Sequence, residues 1–180
     1  MALIRNECEL KLRELLLQRN AKEEYARLEI RPQPGVTISV DGQLDEAFWA
    51  GLSNNPLRDA VSGEAPKMPT SFKIGSDGAN LCIGVICAEP DMQSLIEAGQ
   101  KRDDMNVWMD DAVEVILKTP KRSFYQFAIN PKGALVDLDR SQGMQGIMWD
   151  AGAAVATARG TNEWTVELTI PFKDILGDRP

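Results

Sequence analysis

Beyond residue 35 the apolar residues of this chain recur at every second position, in short runs that each end in turn residues. Period 2 is the pattern of a strand with one face in a core and one face outside it. Runs this short, with turns this close, join as antiparallel neighbours. "VTISVDG" alternates Val36, Ile38 and Val40 and then turns. "TSFKIGSDGANLCIGVICAEPD" reads as two strands around Ser-Asp-Gly, and "AVEVILKTPKRSFYQFAIN" as two more around "TPKRS". "NPKG" at 130–133 has Asn first, Pro second and Gly fourth, as a type I turn prefers. "ALVDLD" restarts a strand, and "AAVATARGTNEWTVELTIPF" gives two more around "RGTN". "LDEAFW" and "MQSLIEAG" suggest short helices. Many strands at short spacing predict an all-β fold, an antiparallel β-sandwich.

Upstream the period changes. "ECELKLRELLLQRNAKEEYARL" at 7–28 places Leu12, Leu15 and Leu16 near one stripe and predicts a helix. "RPQPG" then breaks it. Residues 1–31 are read as a helical extension or a linker from an upstream domain, and 36–180 as the sandwich.

The 180 residues suffice for one domain with a real core. At 43% hydrophobic and 26% charged, the chain is ordinary globular material. A net charge of -7 argues against nucleic acid as a partner, since nothing neutralises phosphates in bulk. No apolar run approaches the roughly 20 residues of a membrane-spanning helix, so no membrane partner is expected. There is no histidine, which removes the commonest metal ligand and general base. Charge begins at Arg5, so no signal peptide is read in this chain. Cys82 and Cys87 lie in one strand run, roughly 16 Å apart, too far for a disulfide; buried thiols are expected.

"VWMDDAVEVIL" at 107–117 interrupts the apolar rhythm with a tryptophan and three carboxylates. Val113, Val115 and Leu117 share one face; Ala112, Glu114 and Ile116 share the other. A strand running back to 108 adds Trp108 and Asp110 to the Glu114 face. On the next strand Tyr125, Phe127 and Ile129 point to the core, with Phe124, Gln126, Ala128 and Asn130 opposite. A simple hairpin register puts Glu114 near Ala128, with Gln126 and Asn130 diagonal to it. One face then gathers Trp108, Glu114, Gln126 and Asn130. Sugars suit such a face: C–H surfaces stack on an aromatic ring, and hydroxyls pair with amides and carboxylates. The competing reading has Trp108 covering an edge and Glu114 paired with a nearby Lys or Arg.

Trp49 and Trp164 read as core anchors, whereas Trp149 in "GIMWDAG" reads as a loop aromatic. Asp103, Asp104, Asp110 and Asp111 are oxygen ligands of the kind Ca²⁺ takes, with Asp110 and Asp111 the metal candidates, yet no EF-hand spacing is present. A solvated acidic surface explains the same residues. Asp111 and Glu114 fall on opposite faces, so they cannot flank a glycosidic bond; Asp110 with Glu114 is geometrically possible, and nothing else in the sequence supports catalysis.

Five segments in order, "VDGQLDEAFW", "FKIGSDGANLCIGVICAEPDM", "VWMDDAVEVIL", "YQFAINPKGALVD" and "EWTVELTIPFKDIL", resemble the carbohydrate-binding module family 9-like domains over about residues 36–176. The resemblance implies a β-sandwich related to the DOMON superfamily. It implies a non-catalytic module of secreted xylanases and related enzymes, gripping reducing-end sugars of cellulose or xylan between two tryptophans, with structural Ca²⁺. Trp108 matches the first sandwiching tryptophan, Glu114 the glutamate that binds sugar hydroxyls, and Gln126 and Asn130 the polar face of the next strand. Ala128 stands where the sugar-binding modules have arginine. The family's second tryptophan belongs to a segment beyond "KDILGDRP", so a C-terminally truncated sandwich is expected, with Trp149 as substitute plate.

The expected function is therefore non-catalytic binding of the ends of plant-type polysaccharides or small sugars. The parent would be secreted or periplasmic, with an upstream catalytic domain as possible partner and dimerisation through an open sheet edge as a further possibility. Structural Ca²⁺ is a candidate cofactor, and haem is not expected, because without histidine only Met or Cys could serve as axial ligands. The alternative is a structural or interaction sandwich of a larger extracellular protein, with no glycan ligand.

Overall fold

The computed structural model describes residues 27–119 and 124–176. Among these, the strands are β1 (Asn55–Pro56), β2 (Thr70–Ser76), β3 (Asn80–Ala88), β4 (Val113–Lys118), β5 (Phe124–Ile129), β6 (Leu135–Asp139), β7 (Ala154–Arg159) and β8 (Glu163–Pro171). Two short α-helices, α1 (Ala47–Ala50) and α2 (Phe172–Leu176), and two 3₁₀ helices, η1 (Met105–Met109) and η2 (Arg140–Met148), complete the pattern. One sheet has the order β1-β2-β3-β8-β7 and the other β4-β5-β6. Every ladder is antiparallel. The expected all-β sandwich is what the chain forms.

Alternation decides which residues meet between the sheets. Tyr125, Phe127, Ile129 and Leu135 of the smaller sheet are buried in one cluster with Leu81, Ile83, Val85, Trp164, Val166, Leu168 and Ile170 of the larger. Val113, Val115 and Leu117 join that cluster only half-buried. The reason is topological. β4 is an edge strand, and among the described residues no backbone hydrogen bond reaches it on the flank away from β5.

The outer face of the larger sheet is also covered. Phe48 and Trp49 of α1 are buried against Cys82, with Ile38, Leu44 and Leu52 beside them. Gly84 permits this packing: a Cβ there would lie 2.8 Å from Leu44. The Glu167 carboxylate fixes the approach, accepting from the Asp41 and Gly42 amides and from Trp49 Nε1 (2.9, 3.0 and 3.1 Å). Gly42 sits at φ +89° against the Thr157 backbone, where no side chain fits. Burial raises the Glu167 pKa, and its three donors oppose that shift without cancelling it.

Three expectations change. The alternating stretch 36–40 joins no sheet; Ile38 and Leu44 instead pack on the outer cluster, and the Ser39 amide donates to Glu46. "MQSLIEAG" is not a helix, because the amides of Ile96, Ala98 and Gly99 donate to the carboxylates of Asp111 and Asp110. "VWMDDA" is not strand: 105–109 is η1 and the strand begins at Val113. The predicted helix at 7–28 lies outside the described residues, apart from its last two positions, as does the "PKRS" of the β4–β5 turn. Cys82 and Cys87 are buried free thiols, each pushed up to about 11 by burial. Trp49 and Trp164 are core anchors, 0% and 5% exposed.

Candidate functional site

The outer face of the smaller sheet carries the unusual residues. Registers Glu114↔Ala128 and Ala128↔Val136 put these three across from one another, and Ile116↔Gln126↔Leu138 forms the next row. The predicted hairpin register is the observed one. Ala128, Ala134, Val136 and Leu138 are buried under Val107, and Trp108 packs half-buried on the same cluster.

Trp108 thus reaches the predicted face by a different route. It comes from η1 rather than from an extension of β4. The Asp104 carboxylate caps η1 by accepting from the Asn106 amide at 3.1 Å and also takes the Gln100 amide at 3.0 Å. Val107 is fully buried, and a Cβ on Gly99 would come within 2.7 Å of it. Gly99 therefore lets η1 close onto the sheet and hold Trp108 there.

Glu114 is exposed and accepts from Gln126 Nε2 at 2.8 Å. Gln126 is 7% exposed, and its Oε1 accepts from Arg140 Nε at 2.6 Å. Arg140 is exposed. A row of carboxylate, amide and guanidinium therefore runs from β4 through β5 to the start of η2, one residue past β6. Gln126 fixes the two charged groups from below while both keep faces toward water. Ala128 supplies no donor, and Arg140, at the start of η2, places a guanidinium on the far side of Gln126 from Glu114.

Sequence reasoning missed Arg140. The signal was available: continuing the Val136, Leu138 alternation by one step past "LVDLD" puts 140 on this face. The chain then turns into η2, which Asp139 starts by accepting from the Ser141 amide at 3.0 Å.

Asn130 does not share this exposed surface. It is 0% exposed, with Nδ2 donating to Gly99 O and Asp110 Oδ2, and Oδ1 accepting from the Lys132 and Ala134 amides. Both its donors and both its lone pairs are used. It ties the 96–99 loop to the β5–β6 turn, where Gly133 has φ +79°. Trp149 is also elsewhere. It packs on the inner-face rings of Tyr125 (4.8 Å between centroids) and Phe127 (6.0 Å), so it is no second plate opposite Trp108.

Asp110 and Asp111 are taken up by the same loop. Burial raises the Asp110 pKa, but Asn130 and the amides of Gly99 and Ala98 outweigh it, and the carboxyl sits below its usual range. Ca²⁺ takes six to eight oxygens. Among the described residues no group of three or more His, Cys, Asp or Glu gathers to hold a metal ion, and these two carboxylates face N–H donors. The pair serves as an acceptor for the 96–99 loop.

Residues 40–179 match the family described as carbohydrate family 9 binding domain-like. No curated protein matches the chain. Among solved structures, a candidate carbohydrate-binding protein from Bacteroides uniformis superposes with TM-score 0.61 at 18% identity, covering 85% of this chain and 76% of that one. A carbohydrate-binding module family 9 domain from Caldicellulosiruptor kristjanssonii, in complex with glucose, gives TM-score 0.53 at 14% identity, over 79% and 69% of the two chains. In complex with cellotriose, a module of that family from the same organism gives 0.54 at 17%, over 79% and 66%.

Proposed function

This chain belongs to the carbohydrate family 9 binding domain-like family, and from that premise we propose that it binds sugars, without catalysis, on the outer face of the β4-β5-β6 sheet. The observation that carries the reading is the row Glu114–Gln126–Arg140 beside Trp108. Trp108 offers a ring to the C–H face of a pyranose. Glu114 accepts from hydroxyls, and Arg140 donates to them through a charged fork. Gln126 positions both and presents little surface of its own. The ligand class is glucose- or xylose-based ends of plant-type polysaccharides, in keeping with the glucose and cellotriose held by the Caldicellulosiruptor modules. A parent protein that processes polysaccharide outside the cytoplasm belongs to the same reading.

Calorimetric titration with glucose, cellobiose and xylobiose tests it, with and without Ca²⁺. The expected result is heat from wild type that disappears in Trp108→Ala. Equal binding by the variant would refute this site.

A second reading has its own support. Asn130 is saturated, Ala128 brings no donor and Trp149 stacks inside, so the face offers one tryptophan plate instead of two. The module is then a structural or interaction sandwich. No heat from wild type with any of the three sugars would favour it.

A further inference from the structure

The outer face of the smaller sheet carries one more row past Ile116, Gln126 and Leu138. Lys118 pairs with Phe124, and Tyr125 pairs with Asp139, so one further step of that register sets Arg140 across from Phe124. By alternation Lys118 shares the face of Glu114, and Phe124 that of Gln126. The bond from Arg140 to Gln126 holds the guanidinium on the same face. Phe124 is 45% exposed, and Lys118 Nζ stands 5.4 Å from its ring centroid, within cation–π range. Lys118 and Arg140 are both exposed. Neighbouring strands lie about 5 Å apart, so the two cations rise from backbone positions about 10 Å apart with Phe124 midway. An exposed aromatic ring flanked by two cations thus occupies one end of this face, in a chain whose net charge is -7.

We infer that, on the sugar-binding reading proposed above, the row Lys118–Phe124–Arg140 forms a second subsite and takes a uronate, a pyranose that carries a carboxylate. The C–H face of the uronate stacks on Phe124, as a neutral sugar does on Trp108. Its carboxylate accepts from the Lys118 ammonium and from the Arg140 fork. Gln126 engages Nε of Arg140, and the carboxylate meets the Nη nitrogens. Distance makes this a separate subsite. Trp108 packs on the cluster that includes Ala128, and Phe124 lies four residues further along β5, about 13 Å away. One pyranose cannot touch both rings, so the ligand is an oligosaccharide with a neutral unit on Trp108 and an acidic unit on Phe124. Charge sets its direction. Glu114 stands across from Ala128, at the Trp108 end, and repels an anion there, while both cations stand at the Phe124 end.

Calorimetric titration of the full chain with three ligands tests the subsite: xylobiose, xylobiose bearing a glucuronic acid branch, and that branched sugar with its carboxyl reduced to an alcohol. Wild type should bind the acidic sugar about tenfold more tightly than its reduced form, and added salt should shrink that ratio. Lys118→Gln should bring the two branched sugars close to equal affinity. Phe124→Leu should weaken both branched sugars alike. Xylobiose, held at Trp108, should bind both variants as it binds wild type, and both substitutions fall on exposed side chains, where the fold tolerates them. Equal affinity of wild type for the acidic and reduced sugars, with xylobiose still bound, would overturn the uronate subsite alone. A preference that survives both substitutions unchanged would also overturn it, since the carboxylate would then sit elsewhere. No binding of any of the three by wild type would sink the sugar-binding reading itself, and the subsite with it.

Discussion

Two glutamates stand on the outer faces of the two sheets and have different work. Glu167, midway along β8 of the larger sheet, is fully buried and accepts from three donors. Glu114, on the edge strand of the smaller sheet, is exposed and accepts from Gln126. The first clamps the 41–49 segment onto the sheet. The second is held in place by one amide and keeps its remaining capacity for a ligand. The side chain is the same, and the number of protein donors around it separates a structural clamp from a binding group.

Removing the clamp gives the largest expected effect. Glu167→Ala leaves two amides and the Trp49 indole without their acceptor, at a cost of about 3–5 kcal/mol. Urea denaturation measures it, and a loss below about 1 kcal/mol would break the comparison. Asn130→Ala comes next. It frees the Asp110 carboxylate and the Lys132 and Ala134 amides, for a loss of about 2 kcal/mol, with sugar titration unchanged in the folded variant. A loss of sugar binding without loss of stability would return Asn130 to the ligand site. Gln126→Ala should be milder for the fold, about 0.5–1 kcal/mol, because Glu114 and Arg140 both remain solvated. Its sugar affinity should fall roughly tenfold, equivalent to about 1.4 kcal/mol, as the two charged groups lose their common support.

Acid and base titration sharpens the same contrast with the smallest effect. The folded Glu167 pKa lies above the unfolded value, so the native state binds more protons in the window between them. Its contribution therefore falls as pH rises through that window. Asp110 has the opposite sign: its folded pKa is depressed, so its contribution is present above the ordinary aspartate range and is lost as pH falls through the folded value. Denaturation midpoints followed from pH 3 to pH 7 should lose the first component in Glu167→Gln and the second in Asp110→Asn. Unchanged profiles in both variants would sink the assignment.

Much of this was legible in the sequence. Period 2 gave the strands β2 to β8, the β4–β5 register and the burial of Trp164, because a half-buried strand must alternate. It failed at 36–40, where the same alternation serves a segment that packs by side chains and pairs with no strand. It failed at 92–99 because the competitor of the helix, a pair of aspartates more than ten residues away, is invisible to local pattern.

By itself the sequence determined an all-β sandwich, a sheet face bearing Glu114 and Gln126, and the commitment of Trp164 to the core, while the family came from the resemblance of five ordered segments. The sandwich, the face and the core tryptophan follow from local periodicity and hairpin geometry. Only the tertiary structure decided that Trp108 arrives from a 3₁₀ helix, that Asn130 is spent inside, that Trp149 stacks on Tyr125, and that Arg140 completes the row. Each depends on which donors and acceptors meet across distant segments, and hydrogen-bond saturation is a property of the assembled neighbourhood that no residue carries alone.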